Sequence, residues 1–337
     1  MTRSRAFVVE AHGAPQEALR LREVEVGSPG PGEVVIDVGA FGVNFPDALL
    51  VTGEYQDVPP LPFVPGSECS GTIAAVGDGV EGLEVGDLVV AVPLGGCFAE
   101  RARVRAERVF RRPSNLSEVD GAGFLVTHGT MWHALMDRGR LRAGESVLVL
   151  GAAGGIGLAS IAVAKAAGAT AIAVVSSAEK ARLARTAGAD HVLLASEGEL
   201  KQRVASLTNG AGADVLVDPV GGDAFREGIR CLAWRGRALI IGFASGEIPE
   251  LRVNRLLLQG SEAIGVYWGR ASEVEPERFR ADVEQLLAAV ERGELRPLPV
   301  TAVPFAATPE LLQELFDRRR AGKFAAVVGN GPSEANE

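Results

Sequence analysis

The chain has 337 residues, enough for two domains, and its 47% apolar content with 42 glycines describes a globular protein rich in turns and closely packed backbone. A formal net charge of -9 argues against a nucleic-acid partner, and the most apolar stretch, 161–175, is broken by Lys165 and Gly168, which argues against a membrane span. Cys69, Cys97 and Cys231 are odd in number and far apart, and Met1 to Pro15 lacks the apolar core of a secretory signal, so a disulfide framework is not expected and a cytoplasmic protein is.

From residue 5 to about 110 the pattern is of short alternating strands punctuated by Gly and Pro: Ala6 to Glu10, Glu33 to Phe41, Gly71 to Val76, Leu88 to Val92 and Phe98 to Val104. This predicts an irregular β-barrel. From about 124 to 265 apolar strands alternate with helices, at Ser146 to Leu150, Ala171 to Val175, His191 to Leu194, Asp214 to Asp218 and Arg237 to Gly242, the pattern of a doubly wound parallel sheet. Beyond it Glu275 to Gly293 and Pro309 to Gly322 read as amphipathic helices, the second capped by Thr308 and ended by Arg318-Arg319-Arg320, before a last strand Phe324 to Val328. The tail from Gly329 is expected to fray. The fold class is therefore α/β, with one domain at 1–123 and 266–337 and a second at 124–265.

The most informative stretch is Ser146 to Gly157, in which a Val/Leu strand runs into Gly151-Ala152-Ala153-Gly154-Gly155-Ile156-Gly157 and then a small-residue helix from Leu158 to Gly168. Glycines let the backbone turn tightly and approach a pyrophosphate, whose charge is stabilised by the free amides and dipole of the helix start. The fingerprint departs from G-x-G-x-x-G only at Ala152.

About 20 residues on, an NAD site places an acid on the ribose 2'-hydroxyl. Here the strand Ala171 to Val175 ends in Ser176-Ser177-Ala178-Glu179-Lys180-Ala181-Arg182, with two hydroxyls and a cation at the tip instead. Ser176, Ser177 and Lys180 suit a 2'-phosphate, so NADPH is the expected cofactor. Glu179 reads as the far end of a Ser176-x-x-Glu179 capping box.

Further segments carry a family resemblance: Gly42-Val43-Asn44-Phe45-Pro46-Asp47, Leu61 to Glu68, Gly86-Asp87, Val126 to Leu135, the glycine turn and Asp214 to Gly222. Over nearly the whole chain these resemble the zinc-independent quinone oxidoreductase branch of the medium-chain dehydrogenase/reductase superfamily. The resemblance implies a GroES-like barrel as catalytic domain, a Rossmann domain for NADPH, a catalytic cleft where the two domains meet, and a homodimer paired through its last Rossmann strands. Zinc-dependent relatives hold a metal through a Cys, a Gly-His-Glu histidine and a third Cys or acid, whereas Asn44 and Ser67 stand at matching positions here and no four-cysteine structural lobe is present. No metal is expected.

Without a Lewis acid, hydride transfer to a quinone or to the β-carbon of an enone needs only donors for the charge that develops on the acceptor oxygen. The resemblance puts Asn44 beside the nicotinamide, holding either acceptor oxygen or cofactor ribose, with Asp47 as an anchor of its loop. Tyr55 and Tyr267 fall where the family closes its substrate cleft and could donate a proton, while Trp268 reads equally as an aromatic wall or as packing. Thr127 and Thr130 lie in the nicotinamide segment, Gly242-Phe243-Ala244 in a turn near the cofactor, and Lys323 resembles a phosphate contact or is a cation at a helix end. A tyrosine of some quinone reductases is replaced by Leu49, which keeps two alternatives open: a dedicated enoyl or 2-haloacrylate reductase, and an NADPH-binding protein without turnover.

Overall fold

The computed structural model describes residues 2–329, so the expected frayed tail lies, but for Gly329, outside the described residues. The chain divides into two compact units, one formed by residues up to Val126 together with those from Pro299, the other by Thr127–Leu298.

The first unit opens with an antiparallel hairpin of β1 (Thr2–Val9) and β2 (Leu19–Val26). Sequence reading misses β2 because its alternation of apolar and charged residues leaves most of it at the surface. The eleven-residue β3 (Glu33–Val43) leads directly into helix α1 (Phe45–Thr52). There follow β4 (Cys69–Val76), β5 (Leu88–Ala91), β6 (Arg101–Arg105) and β7 (Val109–Arg111). The register of β3 on β4 slips after Val35 and again after Val38, and such bulges bend a strand. Phe41 anchors the core, with ring centroids 4.7 Å from Phe98 and 5.8 Å from Phe305.

In the second unit β8 (Ser146–Val149), β9 (Thr170–Val175), β10 (His191–Leu194), β11 (Ala213–Asp218), β12 (Leu232–Ile240) and β13 (Glu262–Gly265) form one parallel sheet in the order β10-β9-β8-β11-β12-β13. This is the doubly wound order, whose direction reverses between β8 and β11, where such sheets bind dinucleotides. The strand β13 escapes sequence reading because it is four residues long, begins with Glu262 and sits at the sheet edge. Helices α2 (Gly155–Ala166) and α3 (Ala178–Thr186) follow β8 and β9, and α4 (Trp268–Val274) and α5 (Pro276–Glu291) follow β13.

The chain then returns to the first unit through β14 (Val300–Pro304), α6 (Thr308–Phe316) and β15 (Lys323–Val327). The order in that sheet is β14-β15-β3-β4-β5-β7, with β6 paired along the first half of β3. The compact second unit runs to Leu298, beyond the strand and helix pattern that ends near 265 in the sequence. Helices α4 and α5 stay with the second unit because Trp268 packs on Phe279 at 5.3 Å and lies against Gly129, while Arg278 pairs with Asp137. Thr308 is also not the cap of α6. It is the first helical residue, and its hydroxyl donates to the Phe305 carbonyl at 2.7 Å.

Candidate functional site

In the second unit, β8 ends at Val149 and the chain turns through Gly151 at φ 57°, a left-handed conformation that needs no Cβ. Because Gly151 takes the turn, Ala152 is tolerated in a buried position beside Ala153. The N–H of Gly154 donates to Gly151 O at 3.1 Å, and Gly154 is the N-cap of α2, so the amides of Gly155, Ile156 and Gly157 form its unbonded first turn. The glycines differ in purpose. A Cβ on Gly157 would lie 2.5 Å from Ala152 Cα and Gly151 O, so that residue is a packing requirement of helix on strand. A Cβ on exposed Gly154 would meet nothing nearer than Gly151 O at 3.6 Å, and would fill only the open space above the amides that a phosphate needs.

At the tip of β9, Ser177 caps α3 by accepting from Lys180 N at 3.3 Å. The expected Ser176-x-x-Glu179 box is therefore not formed: the strand runs to Val175, the cap falls one residue later, and Glu179 becomes the exposed second residue of the helix. Ser176 is left exposed and accepts from Lys180 Nζ at 3.0 Å, which brings hydroxyl and ammonium together with no acid at the tip. The next turns are tied to one another. Buried Asp218, its carboxyl pushed up by burial, accepts from Val220 N at 2.9 Å and Gly221 N at 3.0 Å. Ala244 N and Ser245 N donate to Pro219 O and Val220 O at 3.0 and 2.8 Å, which holds the half-buried Gly242-Phe243-Ala244 turn beside the end of β11. All these turns leave the carboxyl ends of parallel strands.

Thr127 and Thr130 begin the same unit on the helical stretch 125–138, Thr127 buried and Thr130 half-buried. Tyr267 is 40% exposed at the N-cap of α4, whereas Trp268 is buried in packing, which removes it as an aromatic wall.

In the first unit, the strand β3 delivers Asn44 as the N-cap of α1, where Asp47 accepts from the Asn44 backbone N–H at 2.9 Å and from Ser67 Oγ at 2.7 Å. Both side chains are buried. Asn44 Nδ2 donates to Glu68 Oε1 at 3.1 Å, and its Oδ1 accepts from Lys323 Nζ. Lys323 also donates to Glu68 Oε1 at 2.8 Å and Val43 O at 3.4 Å, and Glu68 Oε2 accepts from Val126 N at 2.9 Å. Lys323 is thus neither a helix-end cation nor a free phosphate contact: it starts β15, 3% exposed, with its ammonium spent on this cluster. Gly42 permits the arrangement, since a Cβ there would collide with the Glu68 carboxylate and Ala122 O. Loss of hydration pushes the Asp47 carboxyl up to about 6 and the neighbouring Cys97 thiol well up. Tyr55 is half-buried after α1, its N–H donating to Leu49 O at 3.2 Å.

The alcohol dehydrogenase GroES-like domain family matches residues 30–134, and the zinc-binding dehydrogenase family matches 155–289. Quinone oxidoreductase-like protein 2 of Rattus norvegicus is 37% identical over 309 residues, 91% of this chain and 88% of the relative. The chain belongs to the quinone oxidoreductases of the medium-chain dehydrogenase/reductase superfamily. A probable oxidoreductase from Mycobacterium abscessus superposes with a TM-score of 0.87 at 38% identity, covering 97% of this chain and 99% of that one. The Escherichia coli quinone oxidoreductase, solved in complex with NADPH, superposes with a TM-score of 0.86 at 26% identity, covering 96% and 99%. Among the described residues no group of three or more His, Cys, Asp or Glu could hold a metal ion, and Asn44 and Ser67 offer an amide and a hydroxyl already bonded beside an ammonium.

Glu68 and Asp218, whose carboxylates tie these turns and clusters together, are not among the site residues expected from sequence. Glu68 had a signal, a lone carboxylate in the small and apolar run Ser67 to Gly71, a place where charge survives only when paired.

Proposed function

We propose that the protein is an NADPH-dependent reductase that passes hydride directly to a quinone or to the β-carbon of an α,β-unsaturated carbonyl compound, with no metal. The observation that carries the reading is the strand tip where Lys180 Nζ meets Ser176 Oγ with no acid among the three residues that follow β9, together with the open helix start at Gly154. Two donors and a cation match a 2'-phosphate, and an NAD-selective site would present a carboxylate there. The bound nicotinamide supplies the hydride. The first turn of α2 holds the pyrophosphate, Thr127, Thr130 and the Gly242-Phe243-Ala244 turn line the rest of the cofactor, and Asn44 stabilises charge on the acceptor oxygen with its remaining N–H. Tyr55 and Tyr267 are the candidates to return the proton, and Asp47 holds the Asn44 loop.

The same reading includes a cytoplasmic homodimer. Its support is the edge strand β13, which has one neighbour, and the exposed Trp234, Ile248, Val253, Leu257 and Leu258 in β12 and the segment that leads from it to β13. Among the described residues no helix is long and apolar enough to cross a membrane.

The test is NADPH and NADH oxidation against 1,4-benzoquinone, 9,10-phenanthrenequinone, a 2-alkenal, and acrylate with its 2-halo derivative, for the native chain and Lys180→Ala. Lys180→Ala is expected to weaken NADPH binding roughly tenfold to a hundredfold, the worth of one charge-assisted hydrogen bond, and to leave NADH within about twofold. Equal losses for both cofactors would sink the 2'-phosphate role. Turnover of the acrylates alone would select a dedicated double-bond reductase, and NADPH binding without any turnover a non-enzymatic protein.

A further inference from the structure

A carboxamide has nearly the same shape when its oxygen and nitrogen are exchanged, so its partners decide which atom points where. At Asn44 the partners leave one choice. An ammonium can only donate, so Lys323 Nζ must face Oδ1; an ionised carboxylate can only accept, so Glu68 Oε1 must face Nδ2. The reversed amide would set donors against donors and acceptors against acceptors inside a cluster in which Asn44 is 6% exposed, Lys323 3% and Glu68 0%. The fixed orientation uses one of the two Nδ2 hydrogens and leaves the other for an acceptor.

We propose that Lys323, locked onto Glu68, is a positioning residue for hydride transfer: it orients the Asn44 carboxamide nitrogen-first and strengthens its remaining N–H as a donor. The proposal rests on the reading of Asn44 as the oxyanion donor. The ammonium on Oδ1 draws electron density toward the oxygen, and hydrogen bonds in series polarise one another, so the free N–H carries more positive charge than that of an isolated amide. Loss of Lys323 leaves Glu68 buried without its counter-charge. Nothing then holds Oδ1 toward a donor, and the reversed amide becomes accessible. Lys323 lies 279 residues from Asn44 in sequence and reaches it through β15, which pairs antiparallel with the end of β3.

The experiment is a cycle in single-turnover hydride transfer, followed as NADPH absorbance at saturating cofactor, with the acceptor of the panel that reacts fastest. Because Lys323→Met alone leaves a lone buried carboxylate, the charge-free pair Lys323→Met with Glu68→Gln is measured beside it, each in the native and in the Asn44→Ala background. In the native background both are expected to slow the hydride step roughly tenfold, the size of one well-placed hydrogen bond, with NADPH affinity by tryptophan quenching within about twofold. In the Asn44→Ala background, itself about a hundredfold slower, the further loss is expected to be under about twofold, because Lys323 has nothing left to orient. Equal losses in both backgrounds would mean a purely structural lysine and overturn the proposal, as would an unchanged rate in the native background. If Asn44→Ala alone reacts at the native rate, the donor role assigned to Asn44 fails, a result distinct from additivity.

Discussion

Asp47 allows a test of the buried network in which both sign and size are set by the structure. Its carboxyl is fully buried and pushed up from 3.8 to about 6, first by loss of hydration and further by Glu68, against the bonds from Ser67 and the Asn44 backbone and the charge of Lys323. In the unfolded chain it titrates near 3.8. A folded value above the unfolded one means that the native state binds the proton more tightly, so this group favours folding at low pH and that contribution is lost as the pH rises from about 4 through 6. Two units correspond to about 3 kcal/mol. Asp47→Asn does not titrate yet keeps an acceptor for Ser67, so the stability of the native chain minus that of the variant should fall by about 2 kcal/mol between pH 4 and 6.5, most of the remainder being lost below pH 4, and stay level above 7. Urea unfolding by far-ultraviolet circular dichroism measures it, with hydrogen exchange of β3 peptides assigning the transition to this unit. The other titratable groups acting on Asp47, namely Glu68, Lys323 and Cys97, are present in both chains and cancel to first order. A difference that is flat, or that grows with pH, would refute the account of a desolvated carboxyl held by neutral donors.

The two glycines of the phosphate turn should separate packing from binding. Gly157→Ala is expected to lose about 1–3 kcal/mol of stability through its collision with Ala152 and Gly151, whereas Gly154→Ala, at φ -82°, should melt as the native chain does while binding NADPH at least about tenfold more weakly. The reverse pattern in melting and quenching titrations would overturn the division of roles. Leu257→Glu, at a side chain 80% exposed, should shift the chain toward monomers in sedimentation without lowering its melting temperature if a second copy covers that face; an unchanged mass distribution would count against the dimer. Prolonged dialysis against a chelator should leave reductase activity intact, since the amide of Asn44 and the hydroxyl of Ser67 stand where a metal site needs thiolate or imidazole; activity lost and restored by zinc alone would contradict this.

Much of this protein was legible from sequence because its determinants are local. An apolar run such as Ser146 to Leu150 followed by a glycine turn specifies strand, turn and helix start through backbone sterics alone, and the absence of an acid after Val175 needs no tertiary information. Strands whose pattern is broken by charge, such as β2 and β13, were lost because sheet edges and surfaces relax the pattern. The packing of Trp268 on Phe279 and Gly129, rather than any local signal, keeps α4 and α5 in the second unit. Tertiary structure alone decided the chemistry around Asn44. Its amide orientation, the elevated carboxyl of Asp47 and the buried pair of Glu68 with Lys323 arise where β3, β4 and β15 bring together residues far apart in the chain. Buried charge is tolerated only beside its partner, and which residue is the partner is a property of strand pairing rather than of spacing along the chain.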